Sequence, residues 1–180
     1  MSRSQREWPR EWLMTDERMG DRLWEAINRL PPNRSGVVLR HYGLGRAERA
    51  ALAERIAALC RTRGLTLGIA ADRELALKLS ADLVHNPSEP TPELPFSRSV
   101  HTVDEAIAAR RAGAALVFVS PVNVTRSHPE RAPLGHALAG RIAEAAGVPA
   151  IALGGMNADG FAHLKGAGFH GWAGIDAWMS

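Results

Sequence analysis

A polar segment, SPVNVTRSHPERAPLG at 120–135, follows directly on the apolar run AALVFV at 114–119. It contains hydroxyl side chains, an amide, two arginines, a histidine and three prolines. A guanidinium such as that of Arg126 binds phosphate well, and prolines keep such a segment out of regular helix. The segment has the composition of a loop that closes over an anionic small molecule.

A second candidate is the sequence ALGGM at 152–156, in which an apolar run ends at Gly154 and Gly155. Glycines allow backbone N–H groups to approach an anion closely, so a phosphate site is one interpretation. A tight turn without a ligand is the other, and the sequence leaves both open.

Histidines and aspartates supply further candidates. His85 and His101 end apolar runs, where a structural role competes with a catalytic one, and the chain has no Cys/His spacing typical of zinc. Asp16 and Asp72 could ligate Mg²⁺ through oxygen. Asp72 also begins a helical pattern, where a helix N-cap is the competing role.

The elements that would position these residues alternate along the chain. Runs typical of buried parallel strands occur at 11–15, 36–40, 65–70, 82–85, 97–100, 114–119, 148–154 and 169–174. Helical patterns lie between them at 20–30, 46–64, 72–80, 102–113, 135–147 and 157–168. The segment 86–96 has four prolines, so we expect a degenerate helix after the fourth strand, and little or no helix follows the eighth.

This order predicts an α/β fold, a compact (β/α)8 TIM barrel, with a doubly wound open sheet as the alternative. The 180 residues suit one such domain, which we place at 11–180 after a short N-terminal arm at 1–10. Residues that follow strands gather at the carboxyl face of a barrel. The polar segment and the glycine pair are therefore expected on the same face.

Composition excludes several classes of protein. No apolar run reaches the roughly 18 residues of a membrane span, and the basic residues are scattered, with no nucleic-acid-binding motif. The N-terminal residues lack the apolar core of a signal peptide, which predicts a cytoplasmic protein. Cys60 lies on the apolar side of a helical pattern, typical of a core residue. Trp8, Trp12 and Trp178 are expected at the surface, where a homodimer would bury them.

Five blocks of the sequence, in order, resemble the thiamine phosphate synthase and TenI family of small (β/α)8 barrels, from about Trp12 to Trp178. They are WLMTDER, VVLR, IAADRELALKLSADLVH, SVHTVDEAIAARRAGAALVFVSPV and VPAIALGGMN. The family's synthase joins a hydroxymethylpyrimidine diphosphate to a thiazole phosphate carboxylate and releases pyrophosphate. Its TenI branch includes thiazole tautomerases. The resemblance implies a transferase of thiamine biosynthesis that uses Mg²⁺ and cations to stabilise the leaving diphosphate.

The resemblance also implies roles for individual residues. Arg40 matches a family arginine, and Thr125 and Ser127 match hydroxyls that hold pyrophosphate. His128 stands where the family has a lysine, and Arg126 is the candidate to replace that lysine. The chain's two lysines, at 78 and 165, lie on predicted helices.

For the metal, the resemblance implies Asp72 and Glu89 as the Mg²⁺ ligands. Pro90 occupies the position of the family's second metal-binding aspartate, and Ala71 replaces an asparagine that precedes the first. The expected Mg²⁺ site is therefore weakened.

At the phosphate end, Gly154 and Gly155 match the family pattern. Ile175 and Asp176 follow the eighth strand, and Asp176 takes the place of a serine, so its carboxylate would repel a phosphate. The histidine that the tautomerase branch carries after strand six is Pro121 here.

Two functions remain open at this point. One is a barrel of thiamine biosynthesis that acts on or binds a thiazole phosphate, a phosphorylated small molecule. For this function we expect no robust Mg²⁺-dependent synthase activity, because His128 and Pro90 replace residues the reaction uses. The other is a repurposed anion-binding barrel with a carrier or regulatory role.

Overall fold

Eight parallel strands close into a barrel in the order of the chain, and β1 pairs with β8. The computed structural model describes residues 7–126, 130–164 and 166–179. The strands are β1 Glu11–Met14, β2 Ser35–Leu39, β3 Thr66–Ala70, β4 Leu83–His85, β5 Phe96–Val100, β6 Leu116–Val119, β7 Ala150–Leu153 and β8 Gly171–Gly174. The closed barrel confirms the predicted fold class and rules out the open sheet.

Helices cover the outside of the barrel. They are α1 Arg22–Arg29, α2 Arg46–Arg63, α3 Arg73–Lys78, α4 Val103–Arg111, α5 Gly135–Ala146 and α6 Ala158–Ala162. No helix joins β4 to β5 among these described residues, and only a 3-10 turn, Asp176–Trp178, follows β8. Both departures from the ideal barrel were predicted.

The last helix differs from its prediction. The helical pattern at 157–168 forms only the five residues of α6. After Ala162 the backbone N–H groups of His163 and Leu164 donate three residues back, to Gly160 and Phe161, and Gly166 and Gly168 then adopt positive φ of 83° and 79°. The start is as expected, since the Asn157 side chain accepts a hydrogen bond from the backbone N–H of Gly160 at 2.7 Å.

Aromatic rings fill the middle of the barrel. The Trp12 ring packs edge to face with the Phe118 ring at 5.6 Å between centroids, and the His85 ring packs edge to face with Phe118 at 5.2 Å. Gly36 on the neighbouring strand leaves the space for the indole, because a Cβ there would lie 2.3 Å from the Trp12 ring. Strand β2 therefore needs glycine at this position for reasons of volume.

Tryptophans pack against the first and last strands of the barrel. The Trp12 indole N–H donates to the carbonyl of Pro9 at 2.8 Å, and the Trp178 indole N–H donates to the carbonyl of Trp12 at 3.0 Å. Trp8, Trp12 and Trp178 are all buried within the single chain. The expectation that these three residues lie at the surface was wrong, and they offer no apolar area for a homodimer to cover.

An irregular segment replaces the helix between β4 and β5. Glu93 in this segment pairs with Arg73 at the start of α3, and the Thr91 hydroxyl donates to the carbonyl of Leu94 at 2.7 Å. The carbonyl of Pro95 then accepts from the backbone N–H of Val84 at 3.0 Å. These contacts hold the proline-rich segment against the barrel without regular structure.

Two expectations about single features are also settled. Cys60 is buried on α2, and burial raises the pKa of its thiol to about 12, so it is a core residue. No helix in the described part of the chain is long and apolar enough to cross a membrane.

We expect Gly36→Ala to lower the free energy of unfolding by about 1–3 kcal/mol, because the new methyl group collides with the Trp12 ring. Gly43→Ala is the matched control, since a Cβ at Gly43 meets nothing closer than 3.5 Å. Urea unfolding followed by tryptophan fluorescence measures both. Equal stability of the two variants would contradict this account of the barrel interior.

Candidate functional site

A cavity of about 480 Å³ opens at the carboxyl ends of the strands. Side chains and backbone from the loops after most of the strands line it, as the rule for such barrels predicts. Among the lining residues are Arg40, Tyr42, His85, Ser99, His101, Thr125, Arg126, Arg131, Gly154, Gly155, Ile175 and Asp176. Three arginines and one aspartate give the cavity a positive field, which suits an anionic ligand.

The glycine pair after β7 forms a turn that only glycine can form. Gly154 and Gly155 have positive φ of 100° and 59°. A Cβ at Gly155 would lie 2.5 Å from the carbonyl oxygen of Val124, and one at Gly154 would lie 2.7 Å from Pro121. The glycine turn is therefore pressed against the loop after β6.

Backbone hydrogen bonds join these two loops as well. The N–H of Val122 donates to the carbonyl of Leu153 at 2.9 Å, and the N–H of Asn123 donates to the carbonyl of Gly154 at 3.1 Å. The polar segment and the glycine pair thus form one wall of the cavity.

Arg40 enters the cavity from the end of β2 and is already partly paired. Its Nε donates to the carbonyl of Thr15 at 3.0 Å, and its Nη2 donates to the Asp16 carboxylate at 3.2 Å. Burial lowers the pKa of the Arg40 guanidinium, and the nearby Asp16 charge opposes that shift. The carboxylate fixes the direction of this cation and offsets part of its charge.

Thr15 and His41 hold the backbone at Arg40 through a chain of hydrogen bonds. The Thr15 hydroxyl accepts from the backbone N–H of Arg40 at 3.0 Å, so its own proton is available to His41 Nδ1 at 2.9 Å. Burial lowers the pKa of His41, and the imidazole is neutral near pH 7. The cluster holds the end of β2 in place without adding charge.

His85 forms the floor of the cavity. The pattern of contacts assigns its proton to Nδ1, which donates to the Ser97 hydroxyl at 2.9 Å, while Nε2 accepts from the Asn86 amide at 3.2 Å. Burial, together with Arg40 and Arg98, lowers the pKa of His85 to about 3. Of the structural and catalytic roles considered for this histidine, its hydrogen bonds support the structural one.

The structure brings many of the predicted residues together but separates others. Arg40, Thr125, Arg126, Gly154, Gly155, Ile175 and Asp176 all line the cavity. Ser127 and His128 lie outside the described residues. Ala71, Asp72 and Glu89 line a different cleft, between the start of α3 and the proline-rich segment. Sequence reasoning assigned no role to Arg131, although this residue lines the cavity and belongs to the same polar segment as Arg126.

The residues expected to hold Mg²⁺ do not form a fitting set of ligands. Asp72 caps α3 by accepting from the backbone N–H of Leu75 at 2.9 Å, and its other oxygen faces Arg49 at 3.5 Å. Within residues 7–126, 130–164 and 166–179, no three or more His, Cys, Asp or Glu side chains are grouped so that they could hold a metal. The N-cap role of Asp72 is confirmed.

Comparison with known proteins gives a consistent result. A family model described as thiamine monophosphate synthase matches residues 13–178. The putative thiamine-phosphate synthase 2 of Aquifex aeolicus is 29% identical over 184 residues, which cover 96% of this chain and 99% of that protein. The thiamine-phosphate synthase of Methanospirillum hungatei is 34% identical over 156 residues, 78% of this chain and 74% of that protein.

The fold has a clear counterpart among solved structures. A thiamine phosphate pyrophosphorylase from Pyrococcus furiosus superimposes with a TM-score of 0.83 at 22% identity, over 94% of this chain and 87% of that one. This likeness concerns the fold alone. Some other relatives are longer proteins, and the match to this chain covers only 28% of one of them and 40% of another.

Eight parallel strands closed into a barrel, with a cavity at their carboxyl ends, define a (β/α)8 barrel whose functional face is built from the loops after the strands. The chain belongs to the thiamine monophosphate synthase family of thiamine biosynthesis. These matches confirm the resemblance seen in the sequence and do not favour the alternative of a repurposed carrier or regulatory barrel.

We expect His85 to make the protein less stable in acid. The unfolded chain protonates this histidine below about pH 6.5, whereas the folded chain does so only near pH 3. Stability is therefore lost as the pH falls from about 6.5 toward 3. His85→Gln removes this contribution and should reduce the slope of unfolding free energy against pH by up to about 1.4 kcal/mol per pH unit.

Urea unfolding of both proteins at several values between pH 6.5 and pH 4.5 measures that slope. The slope is the quantity compared, because the variant also loses buried hydrogen bonds at every pH. Identical slopes would show that the folded protein accepts a proton at His85.

Proposed function

We propose that this chain binds a thiazole phosphate in the cavity at the carboxyl end of the barrel and acts on it there. The observation that carries the proposal is that the Gly154–Gly155 turn and the side chains of Arg40 and Arg126 line the same cavity. The turn would receive the phosphate, since backbone without side chains approaches an anion closely. The family and the names of the relatives support the choice of a thiazole phosphate.

The environment of Asp176 is compatible with an anion nearby. This residue is exposed at the rim of the cavity, on the 3-10 turn after β8. Its charge also acts on Arg18, whose pKa is raised mainly by its hydrogen bond to Asp16 and to a smaller degree by Asp176. The neighbouring cation offsets part of the repulsion that Asp176 would exert on a phosphate.

We further propose that Mg²⁺ has little influence on this protein's chemistry. Asp72 is engaged by the N-terminus of α3 and by Arg49, and Glu89 shares its cleft with Pro90 in place of a second carboxylate. The protein's own guanidinium groups would then supply the positive charge that a phosphorylated ligand needs.

A cytoplasmic location is also part of the proposal. Its support is the proposed ligand, because phosphorylated intermediates of biosynthesis do not cross membranes unaided and are used where they are made.

Binding of thiazole phosphate tests the main proposal. We expect Gly155→Ala to weaken it by about tenfold or more, because the new methyl group pushes the turn away from Val124. Gly166→Ala is a matched control with a similar positive φ of 83° but nothing within 4 Å of the added Cβ. Titration calorimetry measures the dissociation constants. Failure of the unmodified protein to bind thiazole phosphate would contradict the proposal.

The effect of Mg²⁺ on the reaction rate tests the proposal that the metal has little influence on this protein's chemistry. We expect thiamine phosphate to form from the pyrimidine diphosphate and the thiazole phosphate more slowly than about 1 s⁻¹, with EDTA having little effect. Pro90→Asp adds the missing carboxylate beside Glu89 and should make the rate respond to Mg²⁺. Pro92→Asp adds the same charge to an exposed position two residues further on and serves as the control. Turnover above about 1 s⁻¹ that EDTA abolishes in the unmodified protein would contradict this prediction.

A further inference from the structure

Arg49, near the start of α2, places its guanidinium between the ends of two strands. Its Nε and Nη2 both donate to the carbonyl of Arg40 at 3.3 Å, and Nη2 also donates to the carbonyl of Ala70 at 2.7 Å. Nη1 faces the Asp72 carboxylate at 3.5 Å. The side chain of Arg49 is 11% exposed, so these contacts rather than water satisfy most of its donors. A single guanidinium therefore joins β2, β3 and the start of α3.

The backbone at both strand ends has a conformation that needs support. His41, directly after Arg40, has a φ of 25°. Ala71, directly after Ala70, has a φ of 57°. Residues that carry a side chain adopt positive φ at an energetic cost, which the surrounding structure must offset. The guanidinium of Arg49 binds the carbonyl that precedes each of these two residues, and so stabilises both changes of chain direction together.

Contacts on both sides of the Arg40 Cα atom fix the direction of its side chain. The backbone N–H of Arg40 donates to the Thr15 hydroxyl at 3.0 Å, and the Arg40 carbonyl accepts from Arg49. When the two backbone groups that flank a Cα atom are both held, the Cα–Cβ bond between them has one direction. Arg49 supplies the contact on the carbonyl side of Arg40, opposite the one from Thr15.

We propose that Arg49 is a positioning residue, which directs Arg40 into the cavity by holding the ends of β2 and β3. A guanidinium suits this role because its planar group of N–H donors reaches two carbonyls and a carboxylate at once, whereas a lysine ammonium is a point charge. Arg49 is not among the described residues that line the cavity, so it acts through Arg40. Its effect on ligand binding rests on the proposed function, in which Arg40 faces the thiazole phosphate.

Proton exchange at Arg40 tests the inference without a ligand. The Nε–H of Arg40 donates to the carbonyl of Thr15 at 3.0 Å, and its nitrogen–proton NMR signal is assigned by its loss in Arg40→Lys. We expect Arg49→Met to make this proton exchange with water faster by about fivefold or more, because the Arg40 side chain is no longer held in one direction. Arg49→Lys should restore part of the protection.

Arg46→Met is the matched control for both measurements. Arg46 lies three residues before Arg49 on the same helix, is 92% exposed and pairs with Glu74 at 3.3 Å. Its substitution removes the same charge and side chain without touching either strand end. We expect the exchange rate at Arg40 to change less than about twofold in this variant.

Binding of thiazole phosphate shows whether Arg49 acts through Arg40. Arg49→Met should raise the dissociation constant by about fivefold or more in the otherwise unmodified protein. In the Arg40→Met background the same substitution should change the constant less than about twofold, because the side chain that Arg49 directs is gone. A general structural role for Arg49 would weaken binding equally in both backgrounds. Near-ultraviolet circular dichroism checks that each variant is folded.

The two measurements separate this inference from the proposed function. The inference is overturned if Arg49→Met leaves the exchange at Arg40 or the affinity for thiazole phosphate unchanged, or if it weakens binding as much in the Arg40→Met background. Binding of thiazole phosphate by the unmodified protein keeps the proposed function in each of these cases. If the unmodified protein does not bind thiazole phosphate but the exchange at Arg40 responds to Arg49→Met and not to Arg46→Met, the proposed function fails and the positioning of Arg40 stands.

Discussion

The packing of the Trp12 indole across the barrel is the constraint on which the rest of the structure depends. It requires a residue without a side chain at Gly36, and it supports Phe118, which in turn supports His85. The indole N–H reaches Pro9 at the closed end, while His85 borders the cavity at the open end. One column of rings therefore runs from the base of the barrel to the floor of the site. Close packing of this kind transmits displacement, so the floor is only as well placed as the indole beneath it.

In the site above that floor, neutral histidines hold the structure in place and charged arginines supply the positive field. His41 and His85 are buried, have lowered pKa values and use their nitrogens to hold backbone and neighbouring side chains. The positive field comes from arginines, which keep their charge across the whole range in which proteins are stable. With a pKa of about 3, His85 adds no charge to the floor of the cavity between pH 6 and pH 8.

The sequence was sufficient for the barrel because its strands are short apolar runs buried on both faces, as the five buried residues of β2 illustrate. It was also sufficient for the carboxyl-face location of Arg40 and the glycine pair, which follows from strand order alone. It was not sufficient for Trp8 and Trp178, because an aromatic residue near a chain terminus gives no local indication of what covers it. The end of α6 at Ala162 was missed because the apolar pattern continues to Leu164, beyond the last helical residue.

For the site itself, prediction from the sequence failed at residues that suit two roles and at contacts between loops. Asp72 suits a metal and a helix N-cap equally well in a sequence, and only the positions of Leu75 and Arg49 distinguish the two. Arg131 belongs to a loop with no periodicity, so its meeting with His101, thirty residues away, could not be derived from spacing. Contacts between loops depend on how each loop folds back, which local propensity does not encode.

The contact between Gly155 and the carbonyl oxygen of Val124 has a consequence for how such proteins can be altered. The loop after β6 packs into the space that side chains would occupy in the turn after β7. Neither segment can therefore be exchanged without the other. A loop transplanted from a relative to change the ligand would meet a turn formed for a different partner. The two segments are distant in sequence but can be replaced only as a pair. Recombination or engineering that preserves the barrel must therefore take both segments from the same parent protein.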